Sequence, residues 1–211
     1  MTLRERLTGH RRAHIDLPTA DRWLVVGLRN PEREYGQTRH NLGGDVVRLL
    51  AQRLGAPLKT TPKLRAETAD SFAAPGGTPV TLVLPGGYMN SSGGPVQAAA
   101  NFYKVPRERI VVVHDDLDLP TAALRLKRGG GAAGHNGLKD VTQRLGGPDY
   151  HRVRIGIGRP PGRQDPADYV LRRFSASDRE QVDVTLELAA DAILSLVRDG
   201  LEPTQNRYNA R

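Results

Sequence analysis

The sequence predicts an α/β fold, a β-sheet with helices on its faces. Two observations carry that expectation. Short apolar or alternating runs of strand length recur along the chain, and segments with a helical apolar stripe fall between them. At 211 residues the chain suits one domain, or at most a domain with a tail, and an apolar share of 38% is sufficient for a core.

The first element is "WLVVGL" (23–28), an apolar run expected as a buried strand. "RNPEREYGQTRH" follows as a long polar loop with a proline. In 42–54, Leu42, Val46, Leu49, Leu50 and Leu54 fall on one helical face. "AETADSFAA" and "PVTLVLP" are two strands joined by the turn signal "PGG". "GGPVQAAANFYKV" is a helix entered through "GGYMNSS", and "RIVVVHDD" is a buried strand that ends in acids. "AALRLKRGGG" alternates and runs into a glycine loop, and "HNGLKDVTQRLGG" is a helix closed by glycine. "YHRVRIGIGRP" alternates again, and "GRPPGRQDP" is a loop. The longest helix is expected over 177–199. Ser177 and Glu180 form its capping box, Val182, Leu186, Ala190, Ile193 and Val197 its stripe, and Gly200 its stop.

Composition removes several classes of function. There is no cysteine, which excludes disulfides, thiolate metal sites and a cysteine nucleophile, and fits a reducing, cytoplasmic setting. No run of 18 apolar residues suggests a membrane span, and the N-terminal stretch has no apolar core of a secretory signal. The formal net charge is +8. Residues 122–163 carry nine Lys/Arg against Asp140 and Asp149, a local excess of seven. Charge concentrated in one stretch of a folded domain points to a polyanion such as nucleic acid. A compositional bias toward arginine would spread it more evenly.

In α/β sheets, ligand groups gather where strands end and loops begin. Four polar clusters lie at such ends, in 29–41, 86–92, 114–118 and 129–136. In the first, His40 sits between Arg39 and Asn41. A lone histidine is more often a packing or surface residue, and it is the convergence of clusters that raises its standing. "HDDLDLP" holds His114, Asp115, Asp116 and Asp118. These suit a divalent-metal site, an aspartate that orients a catalytic histidine, or a solvated acidic turn. "GGGAAGHNG" has neither nucleotide-binding glycine pattern; its glycines suit a tight helix entry, with Asn136 as an N-cap. Asn90 stands at another helix entry, where capping is again the plain role, and Met89 is a packing residue. Arg125 and Lys127 share one face of their strand, as do Arg152 and Arg154 of theirs. The two pairs suit a phosphate cradle or a charged pattern that protects a sheet edge.

Taken in order, "VVGLRNPEREYGQTRHNLG" (25–43), "YMNSSG" (88–93), "VVHDDLDLP" (112–120), "LKRGGGAAGHNGLKD" (126–140) and "HRVRIGIGRP" (151–160) resemble bacterial peptidyl-tRNA hydrolase. The resemblance spans about residues 23–200. It implies a single-domain sandwich around a mixed, twisted sheet, over 23–211, monomeric and without metal or other cofactor. Residues 1–22 lie outside the match, as either a disordered N-terminal extension or a mis-assigned start; no function is assigned to them.

The resemblance also implies a reaction and its residues. The family cleaves the ester joining a peptide to the terminal ribose of tRNA, which recycles tRNA from stalled translation. His40 matches its catalytic base and Asp115 the residue that orients it. Asn30, Asn90 and Asn136 match asparagines that bind substrate or position water, with Asn30 grouped among the catalytic residues. Tyr35 matches an aromatic beside the tRNA end, and Tyr88 is grouped with it among the residues expected to bind substrate or tRNA. Arg125, Lys127 and Arg154 match the basic face toward tRNA. The substrate is the only partner implied. The family often has a hydrophobic residue where Ser91 stands, and His-Gly where Ala132 and Ala133 stand, so the glycine loop here is less polar. The chemistry is coherent. An ester needs no covalent nucleophile, and a histidine with a pKa near 6.5 can take a proton from water at neutral pH. Asparagine amides can donate to a developing oxyanion. Two other classes compete: a non-catalytic RNA-binding protein that uses the same basic face, and a metal-dependent hydrolase.

Overall fold

A computed structural model describes residues 21–209. The expected N-terminal extension lies outside the described residues except for Asp21 and Arg22. Arg22 is packed into the domain. Its guanidinium is buried, donates to Asp70 and Thr81 at 2.8 Å each, and lies over the Tyr103 ring.

Among the described residues, seven strands form one sheet: β1 (Trp23–Gly27), β2 (Lys59–Thr61), β3 (Ala66–Phe72), β4 (Pro79–Pro85), β5 (Ile110–Asp116), β6 (Leu124–Arg128) and β7 (His151–Gly156), in the order β2-β3-β4-β1-β5-β7-β6. The four central strands β4, β1, β5 and β7 are parallel. The flanking strands β2, β3 and β6 run antiparallel to their neighbours, so the sheet is mixed. The helices are α1 (Glu32–Tyr35), α2 (Leu42–Arg53), α3 (Gly93–Tyr103), α4 (Asn136–Arg144), α5 (Pro166–Val170), α6 (Ala176–Asp199) and α7 (Leu201–Tyr208).

Side chains alternate across each strand, so each face of the sheet has its own core. Val25, Val111, Val113, Val153 and Ile155 pack against α2, α6 and α7. Leu24, Val26, Ile110 and Val112 pack against α3 and α4. The stripe of α6 is buried along its length, from Val182 to Val197. Helix α2 lies close on the sheet because Gly27 and Gly43 meet there; a Cβ on either would collide with backbone of the other segment or of β5.

Several elements differ from the sequence expectation. The loop after β1 contains α1 and a 3₁₀ turn, Arg39–Asn41. Strand β2 has three residues on the sheet edge, too few for an alternating pattern to register. Helix α5 has only five residues and α7 is short and mostly polar, so neither carries a stripe of its own. The N-cap of α6 is Ser175 rather than Ser177. Ser175 has the extended backbone of a cap and its hydroxyl accepts from the Asp178 N–H, whereas Ser177 is already helical. Helix α7 closes the β6 edge. The Asn209 amide accepts from Leu126 N–H at 2.7 Å and donates to Leu126 O at 3.0 Å, as a neighbouring strand would.

Candidate active site

Strand β5 ends in His114, Asp115 and Asp116, all buried. Asp115 has the parity of Val111 and Val113 and faces the α2 layer, where the Arg39–Asn41 turn sits. There His40 Nδ1 lies 2.9 and 3.0 Å from the two Asp115 carboxylate oxygens. Asn41 holds this turn against the exit of β1: its side chain accepts from Asn30 N–H at 2.8 Å and donates to Asn30 O at 3.2 Å. Asn41 is thus structural, and it fixes the neighbours of His40.

A second histidine meets the same carboxylate. His135 Nε2 lies 3.1 Å from Asp115 Oδ1, and its ring centroid is 4.8 Å from that of His40. His135, not Asn136, is the N-cap of α4: its Nδ1 accepts from the Leu138 N–H. That bond leaves the ring proton on Nε2, pointing at Asp115. The carboxylate therefore accepts from two imidazoles. Burial opposes ionisation of Asp115, but its interactions and hydrogen bonds with His40 and His135 overcome this and hold its pKa well below the usual carboxylate range. Burial likewise opposes a charge on His40, yet Asp115 outweighs it and raises the His40 pKa. The third histidine, His114, is buried against His135 and donates to Asp115 O; burial, then His135, pushes its pKa down to about 3. It is neutral at physiological pH.

Sequence reasoning assigns His135 no role. The signal available is its place in "GHNG", a motif in which Asn136 is the residue singled out. The arrival of His135 at Asp115 has a cause that strand-end reasoning does not supply. Strand β6 is antiparallel, so residues 129–136 start at the opposite end of the sheet from the Asp115 level. The loop must recross the β6–β7 face over four residues of strand, roughly 13 Å. Arg152 holds it there, donating to Gly130 O and Gly131 O at 2.5 and 2.6 Å. Arg152 is 1% exposed and is not a free phosphate ligand. Ala133 in this loop takes φ 47°, a left-handed conformation that glycine adopts without strain.

The other expected residues fall into two groups. His40, Asp115, Asn136, Lys127 and Arg154 line one cavity of about 410 Å³, together with His135 and Arg152. Arg125 and Lys127 of β6 stand opposite Arg154 and Arg152 of β7, so four cations share one face. Burial, then Arg154 and Arg152, pull the Lys127 pKa below its usual value. Arg154 donates to Asp116 at 2.8 Å, and Arg125 also donates to Leu124 O. The second group is Asn30, Tyr35, Tyr88 and Asn90, none of which lines that cavity. Asn30 Oδ1 accepts from Met89 N–H at 2.9 Å, and its Nδ2 has no protein partner among the described residues. Tyr35 and Tyr88 meet edge to face, and Tyr88 is half exposed. Asn90 is exposed on the 3₁₀ turn Met89–Ser91 and caps no helix with its side chain.

The acids of "HDDLD" do not converge on one point. Asp116 accepts from Arg154 and from the Asp118 N–H, while Asp118 pairs with Arg159. Among the described residues, the group close enough to hold an ion is His40, Asp115 and His135. Its hydrogen bonds argue against ligation. A metal on His135 Nε2 would require the proton on Nδ1, which faces the Leu138 N–H as an acceptor.

A mixed α/β sheet that carries a histidine–carboxylate pair at the carboxyl ends of its parallel strands has the makings of a hydrolase. The family model for peptidyl-tRNA hydrolase matches residues 24–211. The chain is 54% identical to peptidyl-tRNA hydrolase of Frankia alni, over 92% of this chain and 98% of that one, and 52% identical to that of Streptomyces coelicolor, over 89% and 95%. The crystal structure of peptidyl-tRNA hydrolase from Acinetobacter baumannii matches with a TM-score of 0.84 at 38% identity, covering 90% of this chain and 95% of that one. The chain belongs to the peptidyl-tRNA hydrolase family. Among the described residues, no helix is long and apolar enough to cross a membrane.

Proposed function

We propose that the protein hydrolyses the ester between peptide and tRNA, with His40 as general base toward water. The observation that carries this reading is the His40 Nδ1–Asp115 contact at 2.9 Å. With the carboxylate accepting Nδ1–H, the lone pair is on Nε2, free to take a proton from water as it attacks the ester carbonyl. Asp115 then faces the imidazolium that forms, and that imidazolium returns the proton to the departing ribose oxygen. His135 is a positioning residue that holds the second lone pair of Asp115. The free Nδ2 of Asn30 and the exposed amide of Asn136 are the donors assigned to the oxyanion and the substrate. In this reading the protein acts as a monomer, and a substrate drawn from translation fits work in the cytoplasm.

The direct test is release of an N-blocked amino acid from N-blocked aminoacyl-tRNA, with and without EDTA. Cleavage at an unchanged rate in chelator is expected. Loss of activity that added metal restores would instead favour a cation at His40, Asp115 and His135. No cleavage with retained tRNA binding would favour a non-catalytic RNA-binding protein.

The basic face serves binding in this reading. Arg125→Ala with Lys127→Ala leaves the Arg154–Asp116 pair in place. This double variant is expected to raise KM for peptidyl-tRNA and largely spare kcat, since charge acts alike on ground and transition states. It also flattens the log–log salt dependence by roughly 0.7–0.9 for each phosphate that is no longer neutralised. A peptide ester of adenosine, lacking the tRNA body, should be cleaved as by the parent protein. Equal effects on both substrates would place these cations in the fold or the catalytic centre.

A further inference from the structure

The residue before the proposed base is itself unusual. Arg39 is buried, at 9% exposure. Its guanidinium lies 4.2 Å from the Tyr169 ring centroid and 4.7 Å from that of Phe174. Nη1 donates to Arg173 O at 2.8 Å and to Arg172 O at 3.2 Å. The Arg39 backbone N–H donates to Arg172 O at 3.0 Å, and Thr38 forms an isolated β-bridge with Arg173. Among the described residues Arg39 has no carboxylate partner, so its charge is met by two rings and two carbonyls of a single segment.

That segment joins β7 to α6. It is folded back on β7 by Tyr169, whose hydroxyl donates to Ile157 O at 2.8 Å. Its helix α5 is capped by Asp165 and supplies Pro166, Ala167 and Val170 to the wall of the His40 cavity. One side chain therefore ties the cavity wall to the turn whose next residue is His40. A planar guanidinium that donates from Nη1 to two adjacent carbonyls and lies over two aromatic rings fixes both position and orientation, which a flexible ammonium does not.

We propose that Arg39 is a positioning residue that sets the α5 wall of the cavity and the orientation of His40 together. This rests on the reading of His40 as the base. Among the described residues, the titratable groups in contact with the His40 ring are Asp115 and His135. If Arg39 is removed, the turn is free to slacken and the His40–Asp115 contact to lengthen. A reacting group misplaced by about 1 Å can cost on the order of 10²-fold in rate.

The test is Arg39→Lys, which keeps the charge and removes the planar group and its stacking on the two rings. Expected is a fall in kcat of about 10- to 100-fold. The acid limb of the kcat/KM profile should also move to lower pH, because His40 loses part of the interaction that raises its pKa. A purely structural role would reduce the amount of active protein and leave the limb in place. Tyr169→Leu with Phe174→Leu strips the rings and leaves Arg39; it should move the limb the same way, and it decides the matter if Arg39→Lys fails to fold. Normal turnover with an unmoved limb in these variants overturns the proposal. His40→Ala measured alongside separates the two claims: if that variant also turns over normally, it is the assignment of the base that has failed.

Discussion

His40→Ala is expected to lower kcat by about 10²- to 10⁴-fold while the protein stays folded, since the change removes the group that takes the proton from water. The ring borders the cavity and is not part of either apolar core. His135 remains on Asp115 Oδ1, so the buried carboxylate keeps a donor. The pKa of His40 is raised in the folded state, so its contribution to stability is fully present below the ordinary histidine value and is lost as pH rises through the folded value. Thermal unfolding of the variant should therefore fall furthest below the parent in mild acid, and approach it above the folded pKa. Steady-state kinetics on N-blocked aminoacyl-tRNA, with circular dichroism on the same sample, check both parts. Near-parent turnover in a folded variant would remove His40 from the mechanism.

Asp115→Asn is expected to cost a similar factor, about 10²- to 10⁴-fold in kcat, and far more than Asp116→Asn. The two carboxylates are neighbours in sequence with different partners. Asp115 accepts from His40 and His135; Asp116 accepts from Arg154 and the Asp118 N–H. An amide at 115 can turn an NH₂ toward His40 Nδ1, which favours the tautomer with the proton on Nε2, where the base must be unprotonated. Removing the carboxylate also removes what raises the His40 pKa, so the acid limb of residual activity should move to lower pH. The stability contribution of Asp115 depends on pH in the opposite direction to that of His40. A depressed carboxylate pKa stabilises the fold above the unfolded value, and this is lost as pH falls through the folded value. The parent should thus exceed Asp115→Asn in stability at neutral pH, with the gap closing below the usual carboxylate range. Asp116→Asn should act on KM through the released Arg154. Equal kcat reductions at 115 and 116 would show that the orienting role is not confined to Asp115.

The α/β class, the six longer strands, the long helices and the positions of the polar clusters along the chain are all legible in the amino-acid sequence. The reason is that alternation and helical stripes are local: a strand such as 110–116 or a stripe such as Val182 to Val197 is written in consecutive residues. The resemblance adds roles for His40, Asp115 and the three asparagines from motif order alone. Short or polar elements such as β2, α5 and α7 escape because their apolar contacts are supplied by the rest of the chain.

Which polar groups meet is a matter of tertiary structure. His40 and Asp115 are 75 residues apart. No period in the sequence records the parallel β1–β5 pairing or the parity that turns Asp115 toward α2 and Asp116 toward Arg154. Strand direction sets the fate of the basic segment. Because β6 is antiparallel to β7, Arg152 lies beneath the returning glycine loop and binds its carbonyls, and that loop delivers His135 to Asp115. An arginine's letter and its face on a strand are local facts. Whether water, a phosphate or the protein's own backbone covers that face depends on a segment arriving from elsewhere in the chain, and long-range packing alone specifies it.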